Sequence, residues 1–552
     1  LGDVYKRQVK VSVICPVYRP GVGDFLAAVD SVKAQTHENW ELLLIDDAGG
    51  DKTLSAVMRD LAAADARIRL IERKKNGGIA RATNDGLKAA KGAFIAFFDH
   101  DDLLEPGALE IMLLAQAASG AKLLYSDEDK VERGGAFSEP HFKPDFNHRF
   151  LLEVNYICHL VLVEAKSLRA AGGLDAALDG AQDHDLLLRL VEALTPDEIH
   201  HVPEILYHWR KTASSTAAAG TGAKPKAALA GAASVAAHLE RRGLPAKVSP
   251  RGGLTMYQVD WKFPAAQVKA QGVSILIPYR DHVEMTRECV EAIRAHTKGV
   301  TYEILLLDNW STSPEAAAFA AEQANIEGTK VLRIAEPFNY SRINNLGVAA
   351  AKYPFLLFLN NDVFVGEPRW LRRMLDEALA DAAVGAVGAK LLYPDGTVQH
   401  AGVVLGVGGV ADHAFRGLGG EAPGYIAHAI TAQEVSAVTA ACMLVRKSAF
   451  LQVGGFDEHE LSVAFNDVDL CVKLRQAKLK IIFMPDSVAE HRESISRGDD
   501  FDQAKLARFM FENEVMRQRY ENVLPFDPYY NRNFSRESGV YRELRLLRPG
   551  EG

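Results

Sequence analysis

Cysteine is scarce in this sequence of 552 residues, and the few cysteines stand far apart. No two of them have the short spacing of a zinc site, and together they form no pattern of a small disulfide scaffold. The sequence therefore excludes a cysteine-based metal module and is typical of a protein in a reducing cytoplasm. The cysteines are Cys15, Cys158, Cys289, Cys442 and Cys471.

Long apolar runs and an excess of positive charge are also missing. No stretch reaches the roughly 18 to 20 uninterrupted apolar residues that cross a bilayer. The 63 lysines and arginines are outnumbered by 72 aspartates and glutamates, and the net charge of −9 argues against a nucleic-acid partner. We expect a cytoplasmic protein, either free or held peripherally at the inner face of the cytoplasmic membrane.

The sequence contains one internal repeat that covers most of its length. Three segments recur in the same order: residues 9–17, 40–47 and 93–101 return as residues 272–278, 302–309 and 354–362. Pro16 and Pro278 lie 262 residues apart, and so do Asp46 and Asp308. The constant offset indicates a duplication into two domains, each large enough to bury a core.

The repeat predicts the domain boundaries. We expect a first domain at residues 9–250, a linker at 251–271 and a second domain at 272–500. Residues 501–552 are predicted to form a helical and aromatic tail that docks on the second domain.

The apolar segments of each copy are continuous rather than alternating, as in strands covered on both faces. Amphipathic stretches such as residues 24–34, 80–90 and 285–296 separate them. This alternation predicts βαβ units, and therefore an α/β fold in which each domain is a mostly parallel, doubly wound sheet flanked by helices.

Acidic residues end these strands repeatedly. Asp46 and Asp47 close one strand, and Asp99, Asp101 and Asp102 close another. Ligands of doubly wound sheets bind beyond the carboxyl ends of the strands. Three neighbouring carboxylates repel one another, so we expect Mg²⁺ or Mn²⁺ among them, completed by phosphate oxygens.

A second motif suits a diphosphate. Glycine permits close approach of the backbone, a helix start attracts anions, and arginine pairs with phosphate oxygens. The residues of this motif are Asn76, Gly78, Arg81 and Asn84 in the first copy and Asn339, Arg342 and Asn345 in the second.

A third motif, Asp-x-Asp-Leu, begins an apolar helical stretch at Asp183 and again at Asp467. An aspartate that faces a sugar hydroxyl can accept its proton. Further along the chain, the candidates are His208 and His491 as metal ligands and Arg210 and Arg497 as phosphate-neutralising groups.

In this order, and present twice, the motifs resemble the family 2 glycosyltransferases of the GT-A fold. The tandem arrangement resembles bacterial glycosyltransferases of O-antigen and surface-polysaccharide biosynthesis. The resemblance implies inverting transfer from a UDP-, dTDP- or GDP-linked sugar to an oligosaccharide or lipid-linked glycan. It extends from residue 9 to about residue 530.

The resemblance also implies a role for each site residue. The catalytic bases would be Asp183 and Asp467, and the metal ligands Asp101, His208, Asp362 and His491. The donor-binding residues would be Pro16, Tyr18, Asp46, Asp47, Asn76, Gly78, Arg81, Asn84, Asp99 and Arg210 in the first copy, and Pro278, Asp308, Asn309, Asn339, Arg342, Asn345, Asn360 and Arg497 in the second.

The second copy departs from the first at Asn360-Asn361-Asp362, which retains one carboxylate of the acidic motif. Asn309 also replaces the second acid of the base-contacting pair. We interpret the second site as active, with a different donor. Two alternatives stay open: the second half could be a glycan-binding or scaffolding module, or the chain could be a sugar nucleotidyltransferase with a weak triphosphate loop at residues 16–21.

Overall fold

The computed structural model of the chain describes residues 9–211, 225–252, 255–492, 503–537 and 539–546. The chain forms two compact units. Unit 1 contains the chain to residue 146 together with residues 151–243 and 247–259, and unit 2 contains residues 147–150, 244–246 and the chain from residue 260.

Unit 1 is built on a nine-stranded sheet. Its strands are β1 (Val11–Val17), β2 (Trp40–Asp46), β3 (Ile68–Glu72), β4 (Phe94–Phe97), β5 (Leu103–Leu104), β6 (Leu123–Val131), β7 (Phe137–His141), β8 (Val161–Glu164) and β9 (Ile199–Arg210). The helices of the first half of the chain are α1 (Val22–Lys33), α2 (Lys52–Ala64), α3 (Ile79–Ala89), α4 (Ala108–Ser119), α5 (His148–Leu151), α6 (Ala165–Ala170), α7 (Gln182–Ala193) and α8 (Pro225–Arg241). Of these, α5 belongs to unit 2 except for its last residue.

The strand order in this sheet is β3-β2-β1-β4-β8-β6-β9-β5, with β7 paired to β6. The first four strands are parallel, whereas β8 runs antiparallel to β4 and β6. Every residue of β1 and β2 is buried, as expected of strands covered on both faces. The parallel half therefore brings the carboxyl ends of β1, β2 and β4 to one edge.

Unit 2 repeats this design on a ten-stranded sheet. The strands of this sheet are β12 (Val273–Tyr279), β13 (Tyr302–Asp308), β14 (Thr329–Arg333), β15 (Phe355–Leu359), β16 (Val363–Val365), β17 (Val384–Leu392), β18 (Val398–His400), β21 (Gln433–Glu434), β22 (Cys442–Arg446) and β23 (Lys480–His491). Two separate pairs are β10 (Ala246–Pro250) with β11 (Tyr257–Trp261), which come before this sheet in the chain, and β19 (Val403–Leu405) with β20 (Ala411–His413). The helices are α9 (Ala265–Gln271), α10 (Val283–His296), α11 (Pro314–Ala324), α12 (Tyr340–Ala350), α13 (Trp370–Ala380), α14 (Lys447–Gln452), α15 (Asn466–Gln476) and α16 (Gln503–Arg519). Short 3₁₀ turns lie at Ala176–Leu178, Pro196–Glu198 and Tyr425–Ala427.

The order in this second sheet is β14-β13-β12-β15-β22-β17-β23-β16, the counterpart of the order in unit 1. The buried interior repeats as well as the topology. Ser12 Oγ donates to Glu41 Oε1 at 2.6 Å, and Ser274 Oγ donates to Glu303 Oε1 at 2.7 Å. Each of these glutamates is 1% exposed. Both units are α/β folds of the GT-A type with matching strand orders. They also share a buried hydrogen bond, which similarity confined to the surface would not produce.

The predicted linker and the predicted tail both contain regular secondary structure. Residues 251–271, expected to be a linker, contain β11 and α9. The tail begins with α16, whose buried Glu512 accepts a hydrogen bond from the backbone N–H of Val463 at 2.9 Å. Asp527 Oδ2 accepts another from the N–H of Leu405 at 2.8 Å. These contacts fix the tail on unit 2. Within the described residues, no helix combines the length and apolar character needed to cross a membrane.

Gly86 in α3 provides a test of the packing between helix and sheet. A Cβ atom at Gly86 would lie 2.7 Å from Ile14 Cγ2 and 2.8 Å from Ile45 Cδ1. We expect Gly86→Ala to lower the free energy of unfolding by about 1–3 kcal/mol because the core is overpacked, although alanine favours helices. Urea unfolding of the full chain measures the change.

Gly23 in α1 is the matched control because a Cβ there would meet no atom within 4 Å. Gly23→Ala should leave the stability unchanged or raise it by up to about 1 kcal/mol. Equal stabilisation by the two substitutions would contradict the close packing of α3 on the sheet.

Candidate functional site

A cavity of about 830 Å³ opens in unit 1 beyond the carboxyl ends of β1 and β4. The first turns of α3 and α7 border it, so two helix N-termini contribute to its wall. The structure brings eight predicted residues together in its lining: Pro16, Tyr18, Asp47, Asn76, Gly78, Asp99, Asp101 and Asp183.

Asp99 and Asp101 line this cavity without a strongly basic partner. Among the described residues, no lysine or arginine forms an ion pair with either carboxylate, and His100 Nε2 lies 3.9 Å from Asp101 Oδ1. Burial raises the pKa of Asp101, and repulsion from Asp99 raises it further. Oxygen donors held together against their own repulsion fit Mg²⁺ or Mn²⁺ that shares its remaining positions with phosphate oxygens.

Asp102, the third acid of this motif, is hydrogen-bonded within the protein. Its Oδ2 accepts from the Tyr207 hydroxyl at 2.6 Å, and its Oδ1 accepts from the backbone N–H of Arg210 at 2.7 Å. Arg210 Nε donates to the carbonyl of Asp101 at 2.6 Å. Arg210 thus ties β9 to the acidic loop, and its predicted contact with phosphate stays a prediction.

Asp47 organises the loop that begins α3. Its Oδ2 accepts from Asn76 Nδ2 at 2.9 Å and from the N–H of Gly78 at 2.9 Å. Arg73 forms an ion pair with its Oδ1. Asp47 is therefore engaged by the loop of residues 76–78 and shapes the predicted donor site through it.

Besides Arg210, three predicted donor-binding residues of unit 1 lie outside the cavity lining. Asp46 Oδ2 accepts from Ser55 Oγ at 3.0 Å, and Arg81 Nη1 donates to the carbonyl of Gly77 at 3.2 Å. Asn84 uses both ends of its amide on the backbone of Leu174, at 2.8 and 2.9 Å. Asn84 therefore fixes the loop before α7.

Asp183 lies in the first turn of α7, where its Oδ2 accepts from Asn155 Nδ2 at 2.9 Å. The other acid of the motif, Asp185, instead binds Arg189 Nη2 at 2.6 Å. Asp183 is thus the acid of the pair that lines the cavity, together with Asp99 and Asp101.

The strand register corrects the predicted match between His208 and His491. In unit 1, Leu103 lies two residues after Asp101 and pairs with His208. In unit 2, Phe364 lies two residues after Asp362 and pairs with Glu490. His491 is therefore the counterpart of Trp209, which lines the cavity. The match made from the sequence is wrong by one residue, and a shift of one residue along a strand moves a side chain to the opposite face.

His208 is held by two carboxylates instead of facing Asp101. Its Nδ1 lies 2.6 Å from Asp129 Oδ1 and its Nε2 lies 3.2 Å from Glu105 Oε2. Burial would lower the pKa of His208, but these hydrogen bonds raise it above the ordinary value. Because carboxylates of the protein engage both ring nitrogens, neither nitrogen is left to bind a metal beside Asp101, and His208 does not fit the ligand role.

In unit 2, the structure brings Asp362 and His491 together. His491 Nε2 lies 3.1 Å from Asp362 Oδ1, and its Nδ1 lies 2.7 Å from Gln399 Oε1. Asp467 Oδ2 accepts from the N–H of Ala440 at 3.0 Å. Unit 2 therefore pairs a carboxylate with an imidazole that unit 1 lacks at that position, repeats the acid of the third motif and has fewer anionic groups than unit 1.

The predicted donor residues of unit 2 mostly bind protein groups. Asp308 Oδ1 accepts from the N–H of Ser311 at 3.0 Å, and Asn309 Nδ2 donates to the carbonyl of Glu336 at 2.8 Å. The residues that bind the loop before α15 are Asn339 and Arg342, through Glu458 at 2.8 and 3.1 Å, and Asn345, through the carbonyl of Phe456 at 2.9 Å.

Three further predictions concern single positions. Pro278 in β12 pairs with Leu307, the register position that Pro16 holds in β1. The backbone N–H of Asn360 donates to the carbonyl of Ala441 at 3.0 Å. Arg497 lies outside the described residues.

The cavity also contains residues that the sequence analysis missed. Asn155 and His159 lie just before the apolar strand β8, and this position was the only signal for them. Tyr257 comes from the predicted linker, and its ring stacks on His184 with centroids 5.6 Å apart. The missed lining residues include Asp24, Asn155, Cys158, His159, Trp209, Thr255 and Tyr257.

A second cluster of metal-ligand types includes Cys158 of the cavity lining. Ligand atoms of Glu128, His141 and Cys158 fall within 4.8 Å of one another, the one such group of three among the described residues. The ammonium of Lys143, which is fully buried, lies 3.5 Å from Glu128 Oε2. Burial raises the pKa of the Cys158 thiol. The cluster already holds its cation and lacks a thiolate, so it does not fit a divalent metal.

Two α/β units of the GT-A type, each with acidic strand ends, define a tandem transferase architecture. Residues 12–159 and 274–453 match the model of Glycosyl transferase family 2. Because the two matches cover more than half of the chain, the chain belongs to glycosyl transferase family 2.

Several curated proteins are similar to this chain. An uncharacterized protein of Sinorhizobium fredii, y4gI, is 41% identical over 96% of the chain and 58% of its own length. The O-antigen biosynthesis protein RfbC of Myxococcus xanthus is 37% identical over 90% of the chain and 38% of its own length. A β-1,3-glucosyltransferase of Escherichia coli, WfgD, is 35% identical over 24% of the chain and 51% of its own length. The chain spans less than two thirds of these relatives.

Glu128 provides a test of the buried cluster. Burial alone would raise its pKa, but Lys143 and His141 outweigh burial and lower the pKa from 4.5 to about 2. The stabilisation is present above the unfolded value of 4.5 and is lost as the pH falls through about 2. We expect Glu128→Gln to lower the free energy of unfolding at pH 7 by on the order of 3 kcal/mol.

The difference between wild type and Glu128→Gln should shrink to about half by pH 3. Urea unfolding of the full chain at the two pH values measures it. An equal difference at pH 7 and pH 3 would show that the ionised pair with Lys143 is not the source of the stabilisation.

Proposed function

We propose that the cavity of unit 1 is the active site of an inverting glycosyltransferase. The observation that carries the proposal is the presence of Asp99, Asp101 and Asp183 in one cavity. Two carboxylates suit a cation bound to a diphosphate, and the third is available to accept a proton. A binding module would not need all three.

The donor would lie across the carboxyl ends of β1 and β4. The loop of residues 76–78, held by Asp47, presents the N-terminus of α3 to the diphosphate. Asp99 and Asp101 would hold Mg²⁺ or Mn²⁺. The bound cation would supply positive charge that stabilises the leaving diphosphate. Asp183 accepts the proton of the acceptor hydroxyl, whose oxygen attacks the anomeric carbon opposite the leaving group. This displacement inverts the configuration at that carbon.

The substrate class is proposed from the relatives. The name of the E. coli protein specifies a UDP-glucose donor and a diphosphoundecaprenol-linked acceptor, and the M. xanthus protein is named for O-antigen biosynthesis. We infer a UDP-, dTDP- or GDP-linked sugar as donor and a growing O-antigen or surface polysaccharide as acceptor. A lipid-linked acceptor would place the reaction at the inner face of the cytoplasmic membrane.

Unit 2 is proposed as a second active site with a different donor. Its support is the pairing of Asp362 with His491 and the recurrence of Asp467 at the start of α15. Asn309 replaces the Asp47 that binds the loop before α3. A different nucleotide is consistent with that replacement.

Substitution of each candidate base tests the proposal. The purified chain is incubated with UDP-, dTDP- and GDP-sugars and Mn²⁺, and nucleoside diphosphate release is measured. We expect Asp183→Asn and Asp467→Asn each to lower release from one donor by about 10²- to 10⁴-fold, because a general base has been removed. Asp101→Asn should make nucleoside diphosphate release from the donor used at the Asp183 site depend less strongly on Mn²⁺.

Asp60→Asn is the control because Asp60 is exposed on α2, and it should retain full activity. If Asp467→Asn leaves release from every donor unchanged, unit 2 is a binding or scaffolding module. Full turnover in Asp183→Asn would contradict the assignment of unit 1.

A further inference from the structure

A hydrogen-bond donor holds the candidate base in both units. In unit 1 it is the side-chain amide of Asn155, whose Nδ2 lies 2.9 Å from Asp183 Oδ2. In unit 2 it is the backbone N–H of Ala440, 3.0 Å from Asp467 Oδ2. The Oδ1 atom of Asp467 also accepts a hydrogen bond, from the backbone N–H of Val468 at 2.9 Å. Each candidate base is thus held by a donor from outside its own helix, although the donor differs.

The two donors come from the same segment of the repeat. Phe94 in β4 pairs with Glu164 in β8, and Phe355 in β15 pairs with Arg446 in β22. This register makes residues 155–159 the counterpart of residues 437–441, which have the sequence Ala-Val-Thr-Ala-Ala. The amide of unit 1 has thus no side-chain equivalent in unit 2, where the backbone takes over.

Buried groups fix the segment that carries Asn155. Lys143 Nζ donates to the carbonyl of Ile157 at 2.6 Å and also binds the carbonyl of His159. The N–H of His159 donates to Glu128 Oε2 at 2.9 Å. Since Lys143 is fully buried and Glu128 is 5% exposed in its side chain, this anchor is protected from water. The segment is therefore held rigidly beside the cavity.

We propose that Asn155 is a positioning residue that acts through Asp183, a role that rests on the proposed function. Its amide occupies Oδ2 and leaves Oδ1 to receive the proton of the acceptor hydroxyl. The orientation of the amide is set by chemistry, because a carbonyl oxygen turned toward the carboxylate would be repelled. The role of the Lys143 and Glu128 pair is to keep this donor in place.

The test measures turnover by unit 1 alone, in the full chain with Asp467→Asn present. Nucleoside diphosphate release from UDP-, dTDP- and GDP-sugars is followed with Mn²⁺. We expect Asn155→Ala to lower kcat about 10- to 100-fold and to leave KM for the donor within about twofold, because a misdirected base slows the chemical step without weakening donor binding.

The near-isosteric Asn155→Asp distinguishes positioning from packing. It preserves the shape but sets a second carboxylate against Asp183, so kcat should fall further than in Asn155→Ala. In a chain that carries Asp183→Asn, adding Asn155→Ala should cause no further loss, because both changes remove the same function. Asn522→Ala, an exposed site, should match wild type.

The outcomes separate this role from the proposed function. Wild-type kcat in Asn155→Ala or in Asn155→Asp would overturn the role while leaving the glycosyltransferase intact. A KM increase with unchanged kcat would also overturn it. If the wild-type chain releases no nucleoside diphosphate from any donor, the proposed function fails and this role fails with it.

Discussion

Like charges crowded at the ends of parallel strands are the constraint on which the rest of the site depends. The fold of unit 1 holds Asp99 and Asp101 in one cavity, and no described lysine or arginine forms an ion pair with either carboxylate. Their repulsion makes a divalent cation with a diphosphate a favourable occupant. The other acids nearby have protein partners: Asp47 binds a loop and Asp102 binds Tyr207. The acids without such partners, Asp99 and Asp101, are therefore the ones that we propose as ligands of the cation.

The two units show which parts of the design tolerate change. The buried pairs of Ser12 with Glu41 and Ser274 with Glu303 are kept at nearly equal distances. At the candidate site, by contrast, Trp209 of unit 1 corresponds to His491 of unit 2, and the donor to the candidate base changes from side chain to backbone. Interior packing constrains every residue that it touches, whereas residues that line an open cavity are less constrained by their neighbours.

The fold class and part of the candidate site were predictable, because strand periodicity and internal repetition can be read directly from the order of the residues. They predicted the α/β class and the strand ends that carry Asp99 and Asp101. The role of Asn84 was not predictable, because a sequence does not show that Leu174 folds back to meet its amide. The histidine match failed for another reason: a strand alternates its faces, so an offset that is wrong by one residue exchanges His208 for Trp209.

The most direct test of the central claim is to locate manganese. Crystals of the full chain are soaked with Mn²⁺ and UDP, dTDP or GDP, and the anomalous scattering of the metal is mapped. We predict a peak within coordination distance of the Asp99 or Asp101 carboxylate in unit 1, bridged to the diphosphate. A peak at Glu128, His141 and Cys158, or nucleotide bound in the cavity with no metal at either aspartate, would contradict the account.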